Sequence, residues 1–499
     1  MGNNYTVTIP RDEFCDTATL TWKELHTVDF TFDQPFHLPL AEQQYLLVEK
    51  VIRIIPRKRL VAFGTWQDKS VVAKLFFSPK HAKRHLEAEV AGLKILRDHK
   101  IPSPALYYNG WSEDNRVYVL LFERIFESKN LAEIWQEKES ADSLLPLMQA
   151  IVTELATHHV LGVLQHDLHL KNFLLTRKRI YTLDGAQIEL LPSILPKKAS
   201  MENLALFLAQ LGAGYEEYQE KLFRHYAKAR GWLLKQEDIV ELFLLIKKWN
   251  SERWQQFEKK IFRNSSHYGC IRDFRTFTMY DRQYAYPDFL HFLHHPETAF
   301  HHPTAVVLKS GRSATVIKVK LDHHEFVIKR YNLKNLWHRL RRCLRPTRAW
   351  ASWRLAQKLE LFGIHTAKPA AFIEKRYLGF RSQSYYVTEY VSGERADQYF
   401  TAHQHQEETI MTMIKRVTTL LRNLRKVEVT HGDLKITNIL IDKDKQPVLI
   451  DLDGAMEHAS LSSLRAAWRK EIKRFLRNFQ HQPVIREKFK AELERKSTT

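Results

Sequence analysis

The residues that could do chemistry form a short ordered series in the first part of the chain. Asp167 is followed five residues later by Asn172, and Asp184 comes twelve residues after Asn172, at the end of a short hairpin strand. Phosphoryl transfer needs an aspartate that orients the acceptor hydroxyl, and an asparagine and a second aspartate that offer oxygen ligands to magnesium. The series therefore predicts a phosphoryl-transfer site.

A lysine and a glutamate upstream complete the set. Lys74 lies in the strand-like VVAKLF, close to the V-A-I-K strand of kinases, and Glu89 lies on the helix that follows. In this arrangement the strand lysine reaches the nucleotide phosphates and the helix carboxylate holds the lysine. The Asp–Asn spacing of five is also that of a kinase catalytic loop. The glycine loop is poor, because Gly64 alone stands before Lys74 where the G-x-G-x-x-G pattern has three glycines.

The series occurs a second time. FVIKRY contains Lys329, HGDLKITNIL contains Asp433 and Asn438, and VLIDLDGAM contains Asp451. The two Asp–Asn pairs are 266 residues apart (433 − 167 and 438 − 172), and the two lysines are 255 apart (329 − 74). Because the landmarks keep their order at similar offsets, they indicate an internal duplication.

In the second copy, the sequence does not decide which aspartate is the metal ligand or which residue pairs with the lysine. Its LDGA string aligns with that of the first copy on either Asp451 or Asp453, and we prefer Asp451 because it lies 13 residues after Asn438, close to the spacing of 12 in the first copy. Ser352 stands where the helix glutamate should be, so Lys329 is expected to be unpaired or held by Asp451 alone.

The complete set favours the first copy as the active centre, although HGDLKITN in the second copy is the more ordinary kinase loop. Gly311 alone stands before the lysine of the second copy, so its glycine loop is also poor.

The predicted fold class is α+β, with two tandem kinase-like bilobal domains that each have a sheet-rich lobe followed by a helical lobe. Residues 1–40 are expected to be an N-terminal extension, 41–295 the first domain and 296–499 the second. The segment from about 191 to 295 shows helical spacing and is interpreted as the helical remainder of the first domain plus a connection.

Composition limits the class of protein. Three cysteines far apart, at Cys15, Cys270 and Cys343, suit free thiols in a reducing compartment. The N-terminus lacks the pattern of a secretory signal, and no apolar run reaches the roughly 18 residues that span a bilayer. A net charge of +20 favours an anionic partner.

Two basic segments suggest where such a partner binds. Residues 326–359 contain ten Lys or Arg and no acidic residue, with Trp337 and Trp350 nearby, which indicates a face for anionic glycolipid or a membrane surface. A second segment is predicted to form an amphipathic basic helix that docks on its own domain. Its apolar residues are Leu464, Trp468, Ile472, Phe475 and Phe479.

The strings QHDLHLKNFLL with YTLDGAQ, HGDLKITNIL with VLIDLDGA, SGRSATVIKV, FVIKRYN and RPTRAWASWRLAQKLELFGIHT resemble the lipopolysaccharide core kinase family, which includes the heptose and Kdo kinases. The resemblance covers roughly residues 45–190 and 300–480. It implies a protein-kinase-like fold, ATP and Mg²⁺, a heptose or Kdo hydroxyl of the inner core as acceptor, and a place at the cytoplasmic face of the bacterial inner membrane.

The resemblance also implies residue roles. Asp167 and Asp433 match the catalytic base, and Lys74 and Lys329 match the ATP lysine. The remaining positions are expected to bind metal or nucleotide. The metal positions are Asn172, Asp184, Asn438 and Asp451, and the further nucleotide positions are Glu89, Gly64 and Gly311.

Two other functions remain open. One is a pseudokinase scaffold in core assembly, and the other is a kinase of a protein or small molecule. His166 stands where protein kinases have the arginine that answers an activation-loop phosphate, which argues mildly against a protein substrate. The sequence contains no recognised nucleic-acid motif, so a nucleic-acid partner is not predicted.

Overall fold

A computed structural model describes residues 17–30, 32–77, 79–138, 140–332, 345–377 and 380–495. The chain divides into two compact units. The first unit holds residues up to 207 together with 222–245, and the second holds 208–221 together with 246–499. Both contain helices and antiparallel strands, which confirms the α+β class.

The first unit is built around a six-stranded antiparallel sheet. Alternating side chains of the strand KSVVAKLF are buried in its core, so Lys74 lies on the opposite face from Val71, Ala73 and Leu75. In spatial order the strands are Phe36–Leu40, Gln44–Ile55, Arg59–Trp66, Lys69–Phe76, Tyr118–Glu123 and Leu106–Trp111. Shorter strands follow at Lys129–Asn130, Val163–Gln165, Phe173–Leu175, Ile180–Thr182 and Ile188–Leu190.

The second unit has a seven-stranded antiparallel sheet. In spatial order its strands are Tyr268–Arg272, Thr276–Asp281, Pro369–Tyr377, Phe380–Glu389, His324–Tyr331, Ala314–Leu321 and Val306–Ser310. The last five have the same spatial order as the five strands of the first sheet that follow Phe36–Leu40 along the chain. In both sets of five, the third strand along the chain carries the lysine. Shorter strands lie at Gly393–Arg395, Val429–Thr430, Ile439–Asp442, Pro447–Leu449 and Met456–Glu457.

The hairpin at Tyr268–Arg272 and Thr276–Asp281 changes the division expected from the sequence. Its second strand pairs with Pro369–Tyr377, from Thr276 opposite Lys375 to Tyr280 opposite Ala371. These strands therefore extend the second sheet rather than forming the end of a first domain at residue 295. The stretch from about 191 to 295, whose spacing predicts helices, contains these two strands, and they are only five and six residues long.

Helices follow or flank each sheet. Up to residue 260 they are Trp22–Thr27, Pro79–Asp98, Leu131–Gln136, Leu145–Val160, Lys197–Leu208, Glu216–Ala229 and Gln236–Lys260. Beyond it they are Pro287–His294, Arg348–Leu361, Ala396–Ala402, Glu407–Lys426, Leu461–Arg477 and Pro483–Glu494. No helix of the described residues is both long enough and apolar enough to span a membrane.

The predicted C-terminal basic helix docks on its own unit, as expected. Phe475 and Phe479 are buried in the core of the second unit, and Trp468 and Ile472 pack against that core. The centre of the other basic segment, residues 333–344 with Trp337, lies outside the described residues, as do Cys15 and Cys343.

The helix Pro79–Asp98 lies unusually close to the loop that follows Asp184. A methyl group added to Gly92 would lie only 1.9 Å from the Gly185 carbonyl oxygen. Glycine is therefore needed on this helix face so that the loop can approach the helix backbone.

Replacing Gly92 tests this contact. Alanine is ordinarily better than glycine in a helix by about 1 kcal/mol, but here the extra methyl should lower the free energy of unfolding by about 1–3 kcal/mol through overpacking. Chemical denaturation of Gly92→Ala measures the change, with Ala91→Ser at the neighbouring exposed position as control. Unchanged or increased stability of Gly92→Ala would contradict the close approach.

Candidate functional site

In the first unit a lysine and a glutamate join the sheet to the helix. Lys74 Nζ lies 2.8 Å from Glu89 Oε1. The same oxygen accepts a hydrogen bond from the backbone N–H of Gly185 at 3.3 Å. Glu89 is buried, with 4% of its surface exposed. It therefore connects the strand, the helix and the loop that carries Asp184.

The loop residues of the first unit are brought together by one asparagine. The Asn172 side-chain nitrogen donates to the Asp167 carbonyl at 2.7 Å, and the Asn172 carbonyl accepts the N–H of Leu183 at 2.8 Å. Asp184 then adopts a left-handed backbone with φ of 67°. The Asp167 carboxylate contacts His169 Nε2 at 2.8 Å.

The second unit repeats this geometry. The Asn438 side-chain nitrogen donates to the Asp433 carbonyl at 2.9 Å, and the Asn438 carbonyl accepts the N–H of Ile450 at 3.0 Å. Asp451 follows with a left-handed φ of 62°. By torsion and by chain position, Asp451 rather than Asp453 is the structural counterpart of Asp184.

The lysine of the second unit has two carboxylate partners. Lys329 Nζ donates to Asp451 Oδ1 and lies 2.7 Å from Asp453 Oδ2. The sequence left Lys329 either unpaired or held by Asp451 alone, and neither alternative matches the structure. Burial favours the neutral form of Asp451, but the charge and hydrogen bond of Lys329 outweigh it, so the pKa of Asp451 lies below its usual value.

Buried side chains under each loop were not predicted from the sequence. Gln165 Nε2 donates to the Leu183 carbonyl at 3.0 Å, and His431 Nε2 bonds the Ile450 carbonyl at 2.9 Å. A carbonyl only accepts, so this nitrogen of His431 carries a proton. Burial lowers the pKa of His431, which favours the neutral ring. Each side chain thus supports the residue before the left-handed aspartate.

Glu471, on the helix Leu461–Arg477, anchors the loop of the second unit that carries Asp433. Its carboxylate accepts the backbone N–H groups of His431, at 3.1 Å, and of Gly432. Burial raises the pKa of Glu471, although these hydrogen bonds and Arg474 act in the opposite direction. No local motif pointed to this residue, because it lies 40 residues from the loop in the sequence and reaches the loop only in the folded chain.

Cations surround Asp433. Lys435 Nζ lies 2.9 Å from Asp433 Oδ2, and Arg474 lies 3.3 Å from Asp433 Oδ1. Lys435 belongs to the string HGDLK, two residues after the aspartate, whereas Arg474 comes from the helix Leu461–Arg477, which is distant in the sequence. The carboxylate thus lies beside two positive charges, which suit an oxygen-rich anionic reactant.

The two glycines predicted to bind nucleotide differ in position. Gly311 lies in the turn between Val306–Ser310 and Ala314–Leu321, where an added methyl would meet only the Ala314 carbonyl, at 3.5 Å. Gly64 instead lies within the strand Arg59–Trp66, and its methyl would be 2.2 Å from the Leu47 carbonyl oxygen. Gly64 is a cross-strand packing residue, and the hairpin turn of the first unit, at residues 56–58, contains no glycine.

The donor set fits magnesium and a nucleotide. An asparagine amide and an aspartate carboxylate are hard oxygen ligands, and Mg²⁺ commonly uses one or two such groups together with substrate phosphates. No group of three or more His, Cys, Asp or Glu side chains suited to a metal occurs in the described part of the chain.

The support under the second loop can be tested by exchange. His431→Ala should leave the partly buried Ile450 carbonyl without the hydrogen bond from this ring and lower the free energy of unfolding by about 1–3 kcal/mol. His431→Gln should lose much less, because Gln165 makes the equivalent bond in the first unit. Denaturant unfolding of both variants measures the difference. Equal losses in the two variants would show that the hydrogen bond is not what the loop needs.

Comparison with known proteins adds a family to this geometry. No curated protein matches the chain. The region that contains Lys329, Asp433, Asn438 and Asp451 does match a family model, which confirms the resemblance seen in the motifs of the second unit. Residues 300–495 match the model of the lipopolysaccharide kinase (Kdo/WaaP) family.

Proposed function

We propose that this chain is an ATP-dependent kinase that phosphorylates a sugar, heptose or Kdo, of the lipopolysaccharide inner core. The observation that carries the proposal is the meeting of Lys329, Asp451 and the Asp433–Asn438 loop within the segment that matches the lipopolysaccharide kinase family. These are the groups that phosphoryl transfer asks of a protein. The acceptor is then an alcohol group of an anionic glycolipid.

We also propose that the chain contains two tandem kinase-like bilobal domains and that the second is the phosphotransfer centre. The shared order of five strands and the repeated loop geometry support the duplication. The sequence alone favoured the first copy. The glycine turn at Gly311, Lys435 beside Asp433, and the family match all favour the second.

In this mechanism each residue has a distinct task. Lys329 binds the nucleotide phosphates, and Asn438 and Asp451 would hold Mg²⁺, which would offset the charge of the phosphates. Asp433 orients the sugar hydroxyl and accepts its proton as the hydroxyl oxygen bonds to the γ-phosphorus of ATP and the bond from that phosphorus to ADP breaks, releasing ADP. Lys435 compensates the charge on the transferred group, and Arg474 holds Asp433 in place.

The corresponding set in the first unit is proposed to bind nucleotide without being the main centre. Lys74 and Glu89 supply the ion pair, and Asn172 and Asp184 supply oxygen ligands. His169 contacts Asp167 in the first unit, at the position where Lys435 contacts Asp433 in the second, so an imidazole stands in place of an ammonium group.

Paired substitutions test the assignment. With purified chain, Mg-ATP and core lipopolysaccharide lacking the phosphate, Asp433→Ala should lower the transfer rate at least about 100-fold, because positioning of the hydroxyl is lost. Asp167→Ala should retain most of the rate. Asp444→Ala, an exposed aspartate in the Ile439–Asp442 and Pro447–Leu449 hairpin, is the matched control. Mass spectrometry of the product locates the phosphate.

The outcomes separate the competing functions. Loss of transfer in Asp167→Ala but not in Asp433→Ala would move the centre to the first unit. Unchanged core phosphate in a deletion strain complemented with either variant would instead favour a scaffold. Phosphate transfer to protein or metabolite but not to glycan would favour a different kinase substrate.

Such an acceptor requires the chain to work at a membrane, and we propose that it binds the cytoplasmic face of the inner membrane peripherally. Two adjacent hairpin tips of the second sheet carry large exposed side chains: Phe274 is 67% exposed, Tyr377 66% and Phe380 54%. The backbone N–H of Arg376 donates to the Arg275 carbonyl at 2.7 Å, which joins the two hairpins. Aromatic tips flanked by basic residues suit an anionic lipid surface.

Vesicle binding tests the hairpin tips. Phe274→Ser together with Tyr377→Ser and Phe380→Ser should reduce co-sedimentation with vesicles containing anionic phospholipid at least about threefold, because apolar contact with the interface is removed. Leu233→Ser, at a 93% exposed leucine of the first unit, is the control. Binding that survives the triple substitution would place membrane contact elsewhere on the chain.

A further inference from the structure

We propose that Asp453 is the positioning residue for Lys329. Both units then pair the strand lysine with a carboxylate, which comes from a helix in the first unit and from a loop in the second. The inference rests on the proposed function, since it concerns the same nucleotide site. It assigns Asp453 a role different from metal binding.

In the first unit the acid comes from the helix. Glu89, on Pro79–Asp98, contacts Lys74 at 2.8 Å. The residue two positions after the left-handed Asp184 is Ala186, which has no polar side-chain atom. One buried carboxylate from the helix therefore holds the lysine, and the loop leaves space for it.

In the second unit the acid comes from the loop. Ser352 takes the helix position, 263 residues after Glu89 (352 − 89), and is fully buried. Asp453, two positions after the left-handed Asp451, lies 2.7 Å from Lys329. The pair glutamate–alanine of the first unit is thus replaced by serine–aspartate in the second.

The surroundings of Asp453 are built for a carboxylate. Its Oδ1 accepts a hydrogen bond from the Tyr331 hydroxyl and lies 3.4 Å from the Ser352 hydroxyl. Burial and the charge of Asp453 raise the pKa of Tyr331, so its hydroxyl remains a donor. Partly buried carboxylates are stable only with a cation and hydrogen-bond donors, and this site supplies both.

This arrangement has a consequence for Asp451. Lys329 contacts both aspartates, so it would keep Asp453 as a partner if Asp451 held Mg²⁺. In the first unit the lysine has Glu89 for the same purpose. The second unit holds its lysine by a strand–loop contact, whereas the first relies on the position of its helix.

Complementary substitutions test the exchange. Asp453→Ala should raise the dissociation constant of a fluorescent ATP analogue, and the KM for ATP, about tenfold or more, because a partly buried lysine loses its permanent partner. Adding Ser352→Glu to Asp453→Ala recreates the helix acid and loop alanine of the first unit. This double variant should recover at least half of the lost affinity on a logarithmic scale. Ser352→Ala alone should change affinity less than about threefold, since a serine at 3.4 Å makes a weak hydrogen bond.

The controls separate positioning from stability and from metal binding. Thermal unfolding identifies variants that fail to fold, and Asp453→Asn, which keeps the side-chain size, replaces Asp453→Ala if that variant unfolds. Titration with Mg²⁺ is expected to give the same half-saturating concentration for wild type and the double variant. A folded Asp453 variant with wild-type nucleotide affinity would overturn the inference, and so would a raised Mg²⁺ requirement that Ser352→Glu does not correct.

Nucleotide binding also separates this inference from the proposed function. If wild type binds the ATP analogue and the double variant recovers affinity, the positioning role stands even if no sugar is phosphorylated. If transfer to lipopolysaccharide occurs but Asp453→Asn and Asp453→Ala leave ATP binding unchanged, the kinase assignment survives and the positioning role fails.

Discussion

The structure of each unit depends on the need of one partly buried ammonium group for a carboxylate. Lys74 and Lys329 project from the inner strands of two sheets with the same strand order, with 21% and 16% of their side chains exposed. A charge so placed is costly unless it is paired, so the chain must bring an acid to it. In both units that acid, or its neighbour, also fixes the loop that carries the left-handed aspartate. Sheet and loop are therefore joined at the point where a nucleotide phosphate would bind.

A second constraint shapes the loops themselves. The asparagine side chain donates to the backbone carbonyl of the first aspartate. The backbone carbonyl of the same asparagine accepts the N–H of the residue before the second aspartate. A glutamine supports this arrangement in one unit and a histidine in the other, and the two side chains bond the corresponding backbone carbonyl of their own unit. The loops thus tolerate a change of side chain as long as a buried donor meets that carbonyl. This conservation of hydrogen bonding explains how one geometry is preserved while the sequences of the two copies diverge.

The units differ in the turn before the lysine strand and in the charge beside the first aspartate. The second has an open glycine turn, an ammonium group beside Asp433 and a match to a kinase family, whereas the first has a turn without glycine and an imidazole beside Asp167. We therefore interpret the chain as a duplication in which the second copy transfers phosphate and the first retains the architecture of a nucleotide site. The exposed aromatic tips of the second sheet fit the same division, since they belong to the copy that we propose acts on a glycolipid.

The sequence by itself determined the lysines, the Asp–Asn loops, the repeat and the α+β class, because these depend on local spacing and on strand periodicity. It also favoured Asp451 over Asp453 from loop length alone. Tertiary structure decided the rest: that Gly64 packs within a strand, that residues 268–281 extend the second sheet, and that Glu471 and Arg474 reach the loop from the C-terminal helix. The partner of Lys329 was likewise hidden, since a carboxylate supplied by a loop 124 residues away (453 − 329) leaves no periodic signal. Contacts between distant segments follow from packing, and packing is decided only when the whole chain folds.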